Sequence, residues 1–155
     1  MRSKMIASIL AKAVRRLTRR EPDFIIGGAG RPYMLRWYVI PRNRWFNIYR
    51  HIVLRSDDDR ALHDHPWWSF SVCLNGWMGE VLPGGKLRLI EKGEFRLRRA
   101  STAHRLTLPP DQTCETLFIT GPKIREWGFH CPQGWRRWQD FVAKGDSGAV
   151  GPGCD

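Results

Sequence analysis

From Tyr33 to Thr120 the chain is divided into short segments in which apolar and polar residues alternate with a period of two, and turn-forming residues separate one segment from the next. Phe46, Ile48, Ile52 and Leu54 alternate with Asn47, Tyr49, His51 and Val53; Phe70, Val72 and Leu74 alternate with Ser69, Ser71 and Cys73. Leu87–Ile90, Glu94–Arg98, His104–Leu108 and Thr116–Thr120 follow as further short strands. Ser56-Asp57-Asp58-Asp59, Asn75-Gly76 and Pro83-Gly84-Gly85 supply turns, and Asn-Gly is among the strongest tight-turn signals. A chain of many short strands at this spacing closes into an all-β barrel or sandwich. At 155 residues there is one domain's worth of sequence, enough to bury a core without disulfide staples. Eight tryptophans suit barrel interiors and pocket walls, because indole combines a large apolar face with one N–H.

The flanks differ from this region. Met5, Ile6, Ile9, Leu10, Ala13, Val14 and Leu17 recur at helical spacing, which predicts an amphipathic basic helix within residues 1–20. Those residues hold seven Lys/Arg and no acid; the remainder has 19 basic against 15 acidic residues. The net charge of +11 therefore describes a basic leader more than a basic domain. The expected fate of the helix is packing on the barrel's outside or in a dimer contact, ahead of a membrane-surface or nucleic-acid contact. Residues 21–32 read as a linker, and Gly27-Gly28-Ala29-Gly30 lacks the spacing of a phosphate-binding loop. The barrel is expected over 33–143, closing with Trp127-Gly128-Phe129-His130-Cys131 and a short helix carrying Trp135, Trp138, Phe141 and Val142. Residues 144–155 read as a disordered tail. Cys73, Cys114, Cys131 and Cys154 form no C-x-x-C pair, and no run reaches membrane-spanning length. The expectation is a cytoplasmic protein with reduced thiols.

His63-Asp64-His65-Pro66-Trp67-Trp68 carries the chemistry. Side chains at i and i+2 of a strand share a face, so two imidazoles can reach one ion. His104, opening a later apolar strand, is the expected third ligand. Trp67, Trp68, His51 and Tyr49 are candidate pocket residues, with a hydrogen-bonded core position the alternative for His51. Asp64 is expected to point away from the ion as a surface or turn partner, Arg105 to point outward, and His130 beside Cys131 to lie near the pocket mouth.

Residues 57–108 resemble the two motifs of the cupin superfamily. The first is H-x-H, a Glu and then a Gly; His63, His65 and Gly76 match, while Ser69 or Phe70 stands at the Glu position. The second runs from Gly to His; Gly93 and His104 match in separation, while Arg99 and Ser101 replace its Pro and inner Gly. The His-Asp-His-Pro-Trp wording also resembles a group of bacterial and phage cupin proteins. The resemblance implies a double-stranded β-helix (jelly-roll) barrel and, often, a homodimer. With the motif Glu absent, the ligand set resembles that of thiol dioxygenases and some diketone-cleaving dioxygenases, which use Fe(II) to bring substrate and O2 together. Zn, Mn and Ni are alternative ions for such donors. Glu80, beyond the Asn75-Gly76 turn, is a candidate fourth ligand or a solvated strand residue. The functional expectation is a metal-binding cupin acting as a dioxygenase on a small organic substrate. The alternatives are a sugar isomerase or epimerase and a non-enzymatic small-molecule-binding or accessory protein.

Overall fold

The computed structural model describes residues 2–57, 61–144 and 146–155, and only the backbone of 146–150. Asp58 and Asp59 of the expected turn lie outside the described residues. The alternating segments form two walls of a jelly roll. The longer wall is a six-stranded antiparallel sheet. Its members are β1 (Phe24–Ile26), β2 (Met34–Tyr38), β3 (Asn47–Val53), β5 (Ser69–Asn75), β8 (Phe95–Arg98) and β10 (Cys114–Thr120), in the order β1-β2-β3-β10-β5-β8. The opposite wall is two three-stranded sheets. One is β12 (Gly134–Arg137), β11 (Gly128–Cys131) and β4 (Leu62–His63); the other is β7 (Leu87–Glu91), β6 (Trp77–Val81) and β9 (Arg105–Thr107). An isolated antiparallel bridge between His63 and His104 joins them.

Asn75-Gly76 is a corner rather than a hairpin. β5 pairs with β10 and β8, whereas β6 pairs with β7 and β9, so the chain changes walls there. Gly76 has φ +77°, and a Cβ would meet the Thr113 carbonyl oxygen at 2.3 Å, so the corner needs glycine twice over. In β3 the buried positions are Tyr49, His51 and Val53, which places a histidine on the inward face. Met34, Val53, Cys73, Met78, Ile90, Leu108 and Cys114 fill one end of the barrel. Phe129, Phe141, Val142 and Ala61 form a second cluster with Trp127 and Trp138 packed against it. There α2 (Trp138–Phe141) folds back as expected but is shorter than the expected helix, since Trp135 lies on β12 and Val142 follows the helix end; Phe129 stacks on Phe141.

The N-terminal helix, α1 (Arg2–Leu17), packs against β5. The face it buries differs from the expected stripe. Ala7, Ala11, Val14 and the following Thr18 are buried, while Met5, Ile6, Ile9 and Leu17 remain exposed. Small side chains let the helix axis approach the sheet, and Leu74 beneath is fully buried. Arg15 of α1 and Arg50 of β3 both donate to the buried Glu115 carboxylate of β10, tying helix to sheet. Gly93, at φ +90°, lies under the helix start; a Cβ there would meet Lys4 N at 2.9 Å.

Two expectations about the chain's end are corrected. Residues 144–155 do not form an unstructured tail: β13 (Val142–Ala143) pairs with β14 (Asp146–Val150). Cys131 and Cys154 are joined in a disulfide, because this return brings their Cα atoms to 5.4 Å. Cys73 and Cys114 remain as buried thiols, so the expectation of wholly reduced cysteines does not hold. No helix among the described residues is long and apolar enough to cross a membrane.

Candidate metal centre

The bridge that joins the two small sheets also makes the site. His63 N donates to His104 O and His104 N to His63 O, both at 2.9 Å. Residues exchanging both bonds stand directly opposite with side chains on one face. β4 ends at His63, but the chain stays extended: Asp64 N donates to Gly128 O, and His65 N to Ala100 O. Period-two alternation then returns His65 to the face of His63 and turns Asp64 away. One ligand atom from each of His63, His65 and His104 lies within 4.8 Å of the others, and this is the one converging group of His, Cys, Asp or Glu among the described residues.

Three nitrogens on one ion at about 2.1 Å would stand roughly 3–3.5 Å apart, so small ring adjustments bring this set to a metal. The donor chemistry fits as well. His104 Nδ1 lies 2.8 Å from Glu80 Oε1, and an ionised carboxylate can only accept. His104 therefore carries a proton on Nδ1, and its Nε2 faces inward, 2.8 Å from His65 Nε2. His63 Nδ1 is buried with no hydrogen-bond partner among the described residues. Burial is the first cause lowering the His63 imidazole to about 4 and His65 well below the ordinary 6.5. Both are thus neutral near pH 7, the form that binds metal.

Glu80 is fully buried behind His104, not among the converging ligand atoms, which corrects its reading as a fourth ligand. Burial pushes its carboxyl up. Hydrogen bonds from His104 and Arg98 (Nε at 2.6 Å) outweigh that and hold it at about 2. The arrangement fixes the tautomer and ring orientation of His104, as carboxylates behind metal-binding imidazoles do. Sequence parity could not show this, because the corner at Gly76 resets the count.

The imidazoles face a cavity of about 350 Å³. Trp67 and His51 line it as expected. Trp68 does not; it is 41% exposed and packs against Gly121 on the other side. Tyr49 is buried but lies behind His51, rings 5.7 Å apart, rather than on the cavity wall. Asp64 is not a surface residue. Fully buried, it accepts from Gly128 N, Trp135 Nε1 and Arg125, and pairs with His130 Nε2 at 3.2 Å, so it clamps β4 to the β11–β12 hairpin. His130 is thereby drawn away from the cavity wall. Lining residues absent from the sequence reading are Arg36, Arg98, Trp127 and Phe129. Trp127 lies 6.4 Å from His63 and Phe129 5.8 Å, ring to ring. The signal for Arg36 was its parity: it shares the inward face of β2 with Met34.

No protein-family model matches the chain, and no curated protein matches it in sequence. Solved structures do resemble it in fold. The polyketide cyclase RemF from Streptomyces resistomycificus superposes with TM-score 0.54 at 24% identity, over 81% of this chain and 78% of its own. The Fe(II) form of HppE gives TM-score 0.54 at 14% identity, over 66% of this chain and 57% of its own. A cupin-like protein from Thermotoga maritima gives TM-score 0.53 at 12% identity, over 71% and 85%.

Proposed function

Starting from a chain with the cupin fold, a jelly-roll barrel, we propose that it binds one divalent metal on His63, His65 and His104 and acts as a dioxygenase-type enzyme on a small organic molecule in its lumen. The observation that carries this is the convergence of three imidazoles at the wall of an aromatic-lined cavity. Fe(II) is the preferred ion: His63, His65 and His104 would hold it as a three-histidine face, and the chemistry it would supply is the joint activation of substrate and O2. The likeness of fold to a protein studied in its Fe(II) form supports that choice. The chain's own residues do the rest. Glu80 holds the Nδ1 proton of His104 and, with Arg98, keeps the ring from turning. Trp67, Trp127 and Phe129 supply apolar walls that exclude bulk water from the reacting end. A proton-shuttling isomerase is less well supported, because Glu80 is committed to His104 and Arg98 and does not line the cavity.

Metal analysis by mass spectrometry tests the reading. Untagged wild-type protein reconstituted anaerobically with Fe(II) should carry about one equivalent of metal, and His63→Ala and His104→Ala should each lose it. A wild-type protein that takes up no ion would end this reading and leave the barrel as a non-enzymatic binding protein.

A further inference from the structure

Arg36 is an unbalanced charge in the cavity wall. Its guanidinium is permanently protonated, and a cation removed from water is ordinarily matched by a carboxylate. Arg98 inside the barrel and Arg50 just outside it follow that rule: Arg98 bonds Glu80, and Arg50 bonds Glu115. Arg36 instead donates from Nε to the Nε2 of His51, its cross-strand neighbour, at 2.9 Å, and lies over the Tyr49 ring at 4.8 Å. Neither partner is an anion. Among the described residues its two terminal nitrogens have no hydrogen-bond partner, although Arg36 lines the same cavity as the imidazoles. Trp67 Nε1, on another part of the wall, is buried and also lacks a partner among the described residues. The wall thus offers donors with nothing to accept from them.

We infer that Arg36 is the anchoring point for a carboxylate of the cavity's ligand, a small monocarboxylic acid whose other end reaches the three histidines. A guanidinium with both terminal nitrogens free presents the fork that a carboxylate accepts in bidentate fashion. The charge count favours a monoanion. Of the other charged lining residues, Arg98 is paired with Glu80, and Arg55 and Asp57 are of opposite sign, so one net positive charge remains for the ligand, and a phosphate dianion would be left with an unmatched charge in an apolar site. Tyr33, Phe118 and Trp127 line the space and suit a flat, apolar body. His51, held neutral, accepts from Nε and fixes the fork's orientation without competing for its charge.

This inference rests on the proposed function for the identity of the cavity as a substrate site, but its test does not depend on the metal. Benzoate, its neutral isostere benzamide and phenyl phosphate are titrated calorimetrically into full-length protein, with metal and after chelation. Benzoate should bind at least about tenfold more tightly than benzamide in both forms. Arg36→Gln should abolish the preference and Arg36→Lys should retain part of it. The wild-type Arg36 Nε–H resonance should shift with benzoate and not with benzamide, a readout that needs no variant to fold. Equal binding or no binding of the two, or tighter binding of phenyl phosphate, overturns the inference. A benzoate preference that disappears on chelation also overturns it, since the carboxylate would then sit on the ion. A chain that binds no metal yet keeps the preference would leave Arg36 as the anchor and remove only the oxygenase reading.

Discussion

Glu80 spends one carboxylate oxygen on two neighbours, Arg98 Nε and His104 Nδ1, while lying outside the ligand set itself. Replacing it with Gln removes the charge that holds His104 in one tautomer and leaves Arg98 without its anion. Glu80→Gln should weaken metal binding by about 10–100-fold, read by competition with a chromophoric chelator. His51 gives a second expectation. Burial, and after it the charge of Arg36, keeps its imidazole well below 6.5. The unfolded chain therefore takes up a proton where the folded chain does not. Its contribution to stability is complete above about pH 6.5 and is lost as pH falls below that value. Urea midpoints should decline from about pH 7.5 to about pH 5, and the slope should be shallower in His51→Gln. His63 and His65 were legible from spacing, because side chains two apart in an extended chain share a face, and His104 from the apolar strand that follows it. Trp67 and Trp68 could not both face the lumen for the same reason, yet sequence alone does not say which one does. Asp64 looked solvent-facing because acids usually are; the hairpin that buries it is formed by residues more than sixty positions later.

At the scale of elements, α1 is a structural part of the barrel rather than a detachable leader. It covers Leu74, and its Arg15 helps to satisfy the buried Glu115. Ala11, 5% exposed, sits on the docking face. Ala11→Leu should push helix and sheet apart and cost about 1–3 kcal/mol in urea unfolding. A similar change at Ala13, which is exposed, should cost little. The helix was legible from its 3.6-residue period, but its buried face was not. A hydropathy stripe ranks Ile6 and Ile9 above Ala7 and Ala11, whereas close approach to a flat sheet selects the smallest side chains. Strands between residues 33 and 120 were legible from their period of two, whereas β1, in the stretch read as a linker, and β12, whose Trp135 was read as helical, form only because β2 and β11 offer them an edge to pair with. The tight turn at Asn75-Gly76 was legible, but not that it is a corner, because a turn signal gives the local bend and not the sheet to which the next strand belongs.

For the whole molecule, the jelly roll is held closed at its C-terminal side by the pairing of β13 with β14 and by Cys131–Cys154. Alkylation of denatured, unreduced protein should modify Cys73 and Cys114 and spare the other two, as peptide mass mapping would show. Cys154→Ser should cost about 3 kcal/mol, the scale expected for opening a loop of this length. No spacing rule pairs 131 with 154; only the folded return of the chain does. The bridge between His63 and His104 has a consequence for the order of events in the life of the molecule. His63 ends β4 and His104 immediately precedes β9, of different sheets, so the two meet only when the second wall is complete. Neither the nascent chain nor a half-formed barrel presents three imidazoles together, so there is nothing for an ion to template. On the proposed reading an ion would meet its three donors only in the closed barrel, and by binding there it would favour the closed barrel over every open form of the chain.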